Sequence, residues 1–280
     1  MVEKLVSAAS KRAFFAGKYV YQQVSALGAA PAKRILFILG CQRSGTTLMQ
    51  QIFDADLNAR VYGEFSEITL TGRTPNLRLR PLDEVKDIIE RTPARLVVAK
   101  PIAETQHALR LLTYFPGARA LFLYRHYAAV ASSNLKLFGR LNGINNLRPI
   151  VDGETNNWRS EGVPADVRAL VLRHFREDMN PYDAAALFWY VRNRFYFDLG
   201  LDASPDVMPL RYEDLLREPA ATMDGIYRFI GMPPCRRGIP LVRPERGSRG
   251  IELSAGIEAL CSGLLRRLEA ATGCKRRAGH

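Results

Sequence analysis

The segment Ile35-Leu-Phe-Ile-Leu-Gly40-Cys-Gln-Arg43-Ser-Gly45-Thr-Thr-Leu-Met decides the fold of this chain. It opens with an apolar run that has the length and character of a strand buried on both faces. A loop bounded by two glycines follows. Beyond the loop, apolar residues share one face of a helix: Leu48, Met49, Ile52 and Phe53. The segment therefore predicts a strand, a tight loop and an amphipathic helix in succession.

Such a loop directs backbone N–H groups at an anion. The unpaired donors of the helix's first turn, the positive end of its dipole and the Thr hydroxyls converge, and Arg43 adds charge. Gly40 and Gly45 have the spacing of a nucleotide-binding P-loop, but Thr46-Thr47 stands where that motif has Lys followed by Ser or Thr. The segment predicts an anion site without the phosphate-gripping lysine; the alternative is a strand–helix turn that binds nothing.

Further apolar runs at 96–99, 120–124 and 207–210 alternate with helical patterns, such as the one at 108–115. Strand and helix in repetition predict an α/β fold of three layers, P-loop-like, with a central parallel sheet flanked by helices. Lys100 and Arg125 follow two of these runs, where a kinase or ATPase usually has an acidic magnesium ligand. The pattern suits an anionic donor neutralised by side chains alone, with no metal.

Residues 1–33 are predicted to form a helical extension and linker, and residues 34–280 one large domain. Lys18 interrupts the apolar patch at 13–16 too early for a secretory signal. We expect an amphipathic helix over 3–27 packed on the domain, with a basic helix at a membrane surface as the alternative, and a linker at 27–31. No run reaches the roughly 20 apolar residues that a membrane-spanning helix needs.

Later segments are less regular. Residues 139–180 have no strong period and are read as an insertion that carries substrate contacts. A helix is expected over 181–199, beginning at Pro181. A last helix is expected from an N-cap at Ser254 to a stop at Gly273, with a solvated basic tail at 275–277.

The formal charge of +12 favours an anionic partner, for which nucleic acid, acidic glycan, a membrane surface and a phosphate-bearing cofactor all qualify. The four cysteines, Cys41, Cys235, Cys261 and Cys274, lack metal-ligand spacing and suggest no disulfide framework. The simplest expectation is a reducing, cytoplasmic location.

The ordered motifs resemble the sulfotransferase superfamily that uses 3′-phosphoadenosine 5′-phosphosulfate, and are most similar to its tyrosylprotein sulfotransferase and bacterial branch. The resemblance runs from about residue 35 to 235. It rests on Arg43-Ser-Gly-Thr-Thr-Leu-Met, Gly63-Glu64, Lys100-Pro101, Phe115-Pro-Gly-Ala-Arg-Ala-Leu-Phe-Leu-Tyr-Arg125 with Ser133, Arg211-Tyr-Glu-Asp-Leu and Phe229-Ile-Gly-Met-Pro. By this resemblance residues 34–280 are a sulfotransferase domain.

The resemblance implies how the donor is bound. The 5′-phosphosulfate is assigned to the loop residues Arg43, Ser44, Gly45, Thr46 and Thr47. The 3′-phosphate is assigned to Arg125 and Ser133, with Ser132 as a substitute, and Tyr212 is expected to contact the nucleotide. A late basic loop with Arg246, Ser248 and Arg249 is expected either to close over the 3′-phosphate or to be exposed.

Sulfuryl transfer needs a base for the acceptor's proton and a cation at the leaving phosphate oxygen. By resemblance the base is Glu64, with Glu67 in reserve, and the cations are Lys100 and Arg43. The histidines that serve as base in cytosolic relatives have no match among His107, His126, His174 and His280.

Two rival interpretations remain at this point: a P-loop phosphotransferase such as a kinase, and a basic nucleic-acid-binding protein. The missing lysine disfavours the first, and the lack of a nucleic-acid-binding motif disfavours the second. The acceptor stays open among a glycan, a peptide tyrosine, a lipid-like alcohol and a small alcohol. Peripheral membrane contact through the first helix is a further expectation.

Overall fold

The computed structural model describes residues 2–27, 32–70, 77–244 and 250–277. In these ranges the strands β1 to β5 are Arg34–Gly40, Ala59–Tyr62, Leu96–Ala99, Arg119–Tyr124 and Val207–Arg211. The helices α1 to α11 are Val2–Ala26, Thr46–Asp54, Leu82–Arg91, Ala108–Tyr114, Tyr127–Phe138, Asn142–Asp152, Ala165–His174, Pro181–Asp198, Tyr212–Arg217, Pro219–Ile230 and Ala255–Arg277. Two short 3-10 helices cover Ile102–His107 and Ile239–Leu241.

All five strands pair in parallel, in the order β2-β3-β1-β4-β5. Their carboxyl ends therefore lie at one edge of the sheet. Strand β1 is central, with the next strands along the chain on one side and the last two on the other. Ligands of such open sheets bind at the carboxyl edge where the order reverses. The predicted α/β fold with a central parallel sheet flanked by helices is confirmed.

Alternate residues of β1 face different helical layers, because successive side chains of a strand point to opposite faces. Leu36 and Ile38 pack in one buried cluster with residues of α2 and α10. Phe37 and Leu39 pack in the other, with residues from helices that include α5, α8 and α11. Burial on both faces explains the uninterrupted apolar run of this strand.

Strand β2 was not predicted. It lies at the sheet edge, and its four residues include the exposed Arg60. An edge strand needs only one buried face, so its sequence shows no apolar run. The interpretation of 139–180 as an irregular insertion was also incomplete, because this stretch contains α6 and α7.

The helix predicted from Pro181 is confirmed as α8. Its first turn is capped by Asn180, whose side chain accepts a hydrogen bond from the Tyr182 N–H at 2.9 Å. The middle of α8 is buried nearly all round, with Trp189 and Tyr196 both fully buried. This helix passes between other helices rather than lying on the surface.

The predicted end of the last helix at Gly273 was wrong, since α11 continues to Arg277. Glycine within a helix costs about 1 kcal/mol relative to alanine. Hydrogen bonds at the C-terminal end help to hold the last turn, where Lys275 Nζ donates to the carbonyl oxygens of Ser204 and, at 3.2 Å, Val207. Lys275 is thus a packing residue, contrary to the expected solvated tail.

Helix α1 agrees with the helix expected over 3–27, but it packs through polar side chains. Lys18 Nζ donates to the Asp54 carbonyl at the end of α2 at 2.8 Å. Gln22 Nε2 donates to the carbonyls of Leu57 and Ala59 at 2.9 and 3.0 Å. Burial lowers the pKa of the Lys18 amine to about 8.

The linker expected at 27–31 lies, from residue 28, outside the described residues, and the boundary between 33 and 34 stays a prediction. Among the helices that the structure describes, none combines the length and apolar character needed to cross a membrane.

Gly40→Ala is expected to lower the free energy of unfolding by about 2–5 kcal/mol, because Gly40 has φ 123° and an added Cβ would lie 2.2 Å from the Leu123 carbonyl oxygen. Gly117→Ala is the matched control, with φ 78° and open space around the added Cβ. It should cost only about 1–2 kcal/mol. Urea unfolding measures both, and equal losses would contradict the close approach of β1 and β4.

Candidate functional site

The loop between β1 and α2 is held in place by a contact with the 3-10 helix Ile102–His107. Thr105 Oγ1 accepts a hydrogen bond from the Gly40 N–H at 3.1 Å. The same hydroxyl lies 3.2 Å from the Gly40 carbonyl oxygen and 2.9 Å from that of Ile102, either of which can accept its proton. The loop thus begins at a residue whose N–H is held by the Thr105 side chain and whose carbonyl lies within reach of the same hydroxyl.

Positive φ angles turn the loop backbone around a small space. Arg43 has φ 67°, the one positive value at a non-glycine among the described residues. Gly45, which precedes α2, has φ 89°, and an added Cβ there would lie 2.2 Å from Tyr212 Cδ2. Backbone turns of this kind direct N–H groups into an anion-binding concavity. The ring of Tyr212, at the start of α9, lies against this loop.

Two residues of the loop carry buried hydroxyl groups. Ser44 is fully buried, and its Oγ has no hydrogen-bond partner within the described ranges. Thr46 is buried at the first position of α2, where backbone N–H groups lack partners within the helix. A buried polar atom without a partner is uncommon in native proteins and calls for an explanation, which at Ser44, next to the start of a helix, an anionic ligand would supply.

Basic side chains surround the loop on the β4 side. Arg43 Nε donates to Ser133 Oγ on α5 at 3.0 Å. Arg125 Nη1 donates to the Arg43 carbonyl at 3.3 Å, and its guanidinium lies 4.7 Å from the centre of the Tyr212 ring. Burial lowers the pKa of both guanidinium groups, which nevertheless stay charged. The structure therefore brings together four residues that the sequence assigned to the donor.

A carboxylate and an ammonium group meet on the β3 side of the loop. Lys100 Nζ lies 2.8 Å from Glu64 Oε2 and donates to Thr47 Oγ1 at 3.3 Å. Lys100 is only 4% exposed, so it is not a solvent-facing residue at a strand end. Its backbone N–H donates to the Tyr62 carbonyl at 2.9 Å, which extends the pairing of β3 with β2 to the point where Glu64 follows.

Glu67 lies apart from this pair. Its carboxylate bonds to Arg60 at 3.1 Å, and both side chains are about half exposed. Of the two glutamates considered from the sequence, the structure brings only Glu64 to Lys100.

The histidines have other contacts. His126 Nδ1 accepts a hydrogen bond from the Ala128 N–H at 3.2 Å and so caps α5. His107 Nε2 lies 3.1 Å from Glu161 Oε1. His174 lies where a side chain at Gly256 would contact it. His280 is outside the described residues, as are Arg246, Ser248 and Arg249 of the late basic loop.

Arg192 was missed by the sequence reasoning. This α8 residue is 1% exposed, and its guanidinium donates to the carbonyl oxygens of Ile102 at 2.9 Å and Trp158 at 3.2 Å. It also donates twice to Gln106 Oε1. It thereby holds the same 3-10 helix that supports the loop. The signal in the sequence was a charged residue directly after the apolar run Ala-Leu-Phe-Trp-Tyr-Val.

No group of ligating side chains suited to a metal ion occurs in the described part of the chain. The four cysteines are all free thiols. Burial raises the pKa of the Cys41 thiol, within the loop, to about 12, which keeps it protonated and unreactive.

The model of the sulfotransferase domain family matches residues 33–239, a range that includes every residue from the loop to Tyr212. The chain belongs to the sulfotransferase family. It is an enzyme that transfers sulfuryl groups, and the resemblance noted from its motifs is confirmed at the level of the superfamily. The placement near the tyrosylprotein branch stays a prediction.

Solved structures show the same fold at low identity. The sulfotransferase domain of the olefin synthase from Synechococcus PCC 7002 is 17% identical, with a TM-score of 0.56 over 86% of this chain and 96% of that one. The sulfotransferase domain from the curacin biosynthetic pathway is 14% identical, with a TM-score of 0.54 over 86% of this chain and 99% of that one. A search of curated protein sequences finds no match.

A double-mutant cycle of Glu64→Gln and Lys100→Met should give a coupling of about 1–3 kcal/mol in the free energy of unfolding, because either single change leaves a largely buried charge without its partner. The exposed pair Lys86–Glu90, 3.8 Å apart, is the control. Its cycle should give at most about 0.5 kcal/mol. Similar couplings for the two pairs, measured by denaturant unfolding without ligand, would contradict the description of the Glu64–Lys100 contact.

Proposed function

We propose that this sulfotransferase uses 3′-phosphoadenosine 5′-phosphosulfate as donor and transfers its sulfuryl group to a hydroxyl or amine by in-line displacement. The observation that carries the proposal is the Glu64–Lys100 pair, 2.8 Å apart, beside a phosphate-type loop without a lysine. A base and a cation next to an anion site are what sulfuryl transfer requires.

The donor carries anionic groups at both its 5′ and 3′ positions, and the basic residues here suit two such groups. The partnerless hydroxyl of Ser44 and the Cβ-free cradle at Gly45 fit the 5′-phosphosulfate. Arg125, with Ser133 on the next helix, fits the 3′-phosphate, since a guanidinium binds phosphate through two parallel hydrogen bonds. Arg43 bonds to Ser133 and stands between the two positions.

Each residue then has a role in the transfer. Glu64 accepts the proton of the acceptor as the acceptor's oxygen or nitrogen forms a bond to sulfur. The bond between sulfur and the bridging oxygen breaks, and its electron pair stays on the phosphate. Lys100 and Arg43 stabilise the negative charge that develops on that oxygen. The cations are side chains, so we propose that no metal takes part.

The sulfuryl acceptor is the second partner, and a glycan, a peptide tyrosine, a lipid-like alcohol and a small alcohol remain candidates. The net charge of +12 favours acidic acceptors among these. We do not propose a nucleic acid as partner, since the donor accounts for part of the basic charge. Free thiols at all four cysteines support a reducing, cytoplasmic location.

The spent donor, 3′-phosphoadenosine 5′-phosphate, is expected to raise the melting temperature in the presence of a chelator, because a ligand bound only by the folded state stabilises it. Differential scanning fluorimetry measures the shift. ATP with magnesium is the comparison. Protection by ATP with magnesium and none by the bisphosphate would instead support a phosphotransferase.

The same assay on Arg125→Ala tests the 3′-phosphate position. Its affinity for the bisphosphate should fall by about 1.5–3 kcal/mol for each charged hydrogen bond lost, with little change for adenosine 5′-phosphate. Arg119→Ala, at the opposite end of β4, is the control and should leave both affinities unchanged. Equal losses for the two nucleotides would count against the assignment.

Glu64→Gln should lower turnover by about 10²–10⁴-fold, because it removes the base and keeps the shape of the side chain. Affinity for the bisphosphate should be largely retained. Glu67→Gln is the matched control, since Glu67 pairs with Arg60 away from Lys100. Labelled donor supplied with acceptor arrays gives both the acceptor and the rates. Normal turnover in Glu64→Gln with a loss in Glu67→Gln would move the base to Glu67.

A further inference from the structure

Helix α1 leaves an apolar stripe uncovered. Val20, Val24 and Leu27 are 59, 63 and 88% exposed. The small residues Ala13, Ala16 and Gly17 are exposed as well. At helical spacing these residues share one face: Ala13, Ala16, Gly17, Val20, Val24 and Leu27. We call this face the outer stripe.

The opposite face of the helix is fixed to the rest of the protein. Lys18 and Gln22 are each 5% exposed, and they donate three hydrogen bonds to carbonyls at the end of α2 and around the start of β2. Rotating α1 to bury the outer stripe would break all three hydrogen bonds. The helix is therefore held with its apolar side outward, opposite to the usual arrangement of a surface helix.

The charge around the stripe identifies what can cover it. Helix α1 contains four basic residues, Lys4, Lys11, Arg12 and Lys18, and one acidic residue, Glu3; of the basic residues, Lys18 is buried on the opposite face. A pocket of about 270 Å³ lies between α1 and the edge of the sheet, and Tyr19 and Gln23 line it on the helix side. Two exposed arginines, Arg60 and Arg91, line its other side, together with Glu67, which pairs with Arg60. An apolar face beside a basic region is complementary to an anionic surface that has an apolar interior.

Aromatic side chains flank the stripe. Tyr19 and Tyr21 are 57 and 41% exposed, and Phe14 is 36% exposed. Tyrosine combines an apolar ring with a polar tip, which suits the boundary between lipid and water. A second copy of this chain would instead bring two helices with a net positive charge against each other, which charge repulsion disfavours.

We propose that the outer stripe of α1 lies in the surface of an anionic phospholipid bilayer and holds this sulfotransferase there as a peripheral membrane protein. The apolar residues enter the boundary between headgroups and acyl chains, and the tyrosines remain at headgroup level. Arg12 and the arginines of the pocket contact lipid phosphates. The attachment requires no membrane-spanning segment and does not depend on the identity of the donor.

The full-length protein is tested by co-sedimentation with vesicles of phosphatidylglycerol and phosphatidylcholine in equal parts. The wild type should bind these vesicles, and added salt or vesicles of pure phosphatidylcholine should weaken binding. The double variant Val20→Asp/Val24→Asp should bind at least about tenfold more weakly, because it places charges where lipid is contacted. A milder pair, Val20→Ser/Val24→Ser, should give an intermediate loss, and melting temperatures verify that each variant is folded.

The matched control is Leu109→Asp/Leu172→Asp, which changes two leucines that are 46 and 45% exposed on α4 and α7. It should bind like the wild type. No vesicle binding by the wild type, or equal binding by folded stripe variants, would overturn the proposal. A dimer in sedimentation without lipid that Val20→Asp/Val24→Asp abolishes would overturn it too, because a second copy would then cover the stripe.

Discussion

Strand β1 approaches β4 so closely at Gly40 that the Leu123 carbonyl oxygen occupies the space of a side chain. Strand β1 lies at the centre of the sheet; its pairing with β3 ends at Phe37, and its carboxyl end pairs with β4 as far as Gly40. The Thr105 hydroxyl then binds the Gly40 N–H and lies within reach of the Gly40 carbonyl oxygen. The loop that follows starts from a fixed point, so its positive φ angles and the ring of Tyr212 define one shape for an anion rather than several.

The parallel sheet also sorts the site residues by position. In sheet order, the carboxyl ends of the strands lead to Glu64, Lys100, the loop with Arg43, Arg125 and Tyr212. This is the order of the proposed chemistry from base to nucleotide. The topology thus places Glu64 at the β2 end and the basic residues along the rest of this edge, because each residue stands within three residues of the end of its strand. The carboxyl edge of the sheet thereby brings together side chains that are far apart in the sequence.

The strands that the sequence predicted are those buried on both faces, where the apolar run is continuous. Strand β2 was not predicted because it is an edge strand that contains the exposed Arg60, so its sequence has no continuous apolar run. The donor-side residues were predicted as a group from the resemblance of the ordered motifs to the sulfotransferase superfamily. Their specific contacts, such as Arg43 with Ser133, depend on side-chain directions across 90 residues of chain and could not be read from spacing.

Helix α1 and Gly273 show a different limit of prediction from local sequence patterns. An amphipathic pattern predicts a helix but not which face of it packs against the protein. In α1 the packed face is set by the three hydrogen bonds that Lys18 and Gln22 donate to backbone carbonyls. At Gly273 a local stop signal was overridden by Lys275, which bonds to residues near β5. In both places contacts between distant segments outweigh the local preference.

Arg192 places a buried positive charge close to the 3-10 helix that supports the loop. Its guanidinium donates to carbonyl oxygens and to Gln106 Oε1, whereas both carboxylate oxygens of the nearby Glu104 are bound by Arg78. Dipoles satisfy a guanidinium's donors without cancelling its charge. In the buried interior that charge is weakly screened, and it adds to the positive potential at the loop residue Cys41. The proposed anion site therefore has the charge of Arg192 on its protein side in addition to the charges of Arg43 and Arg125.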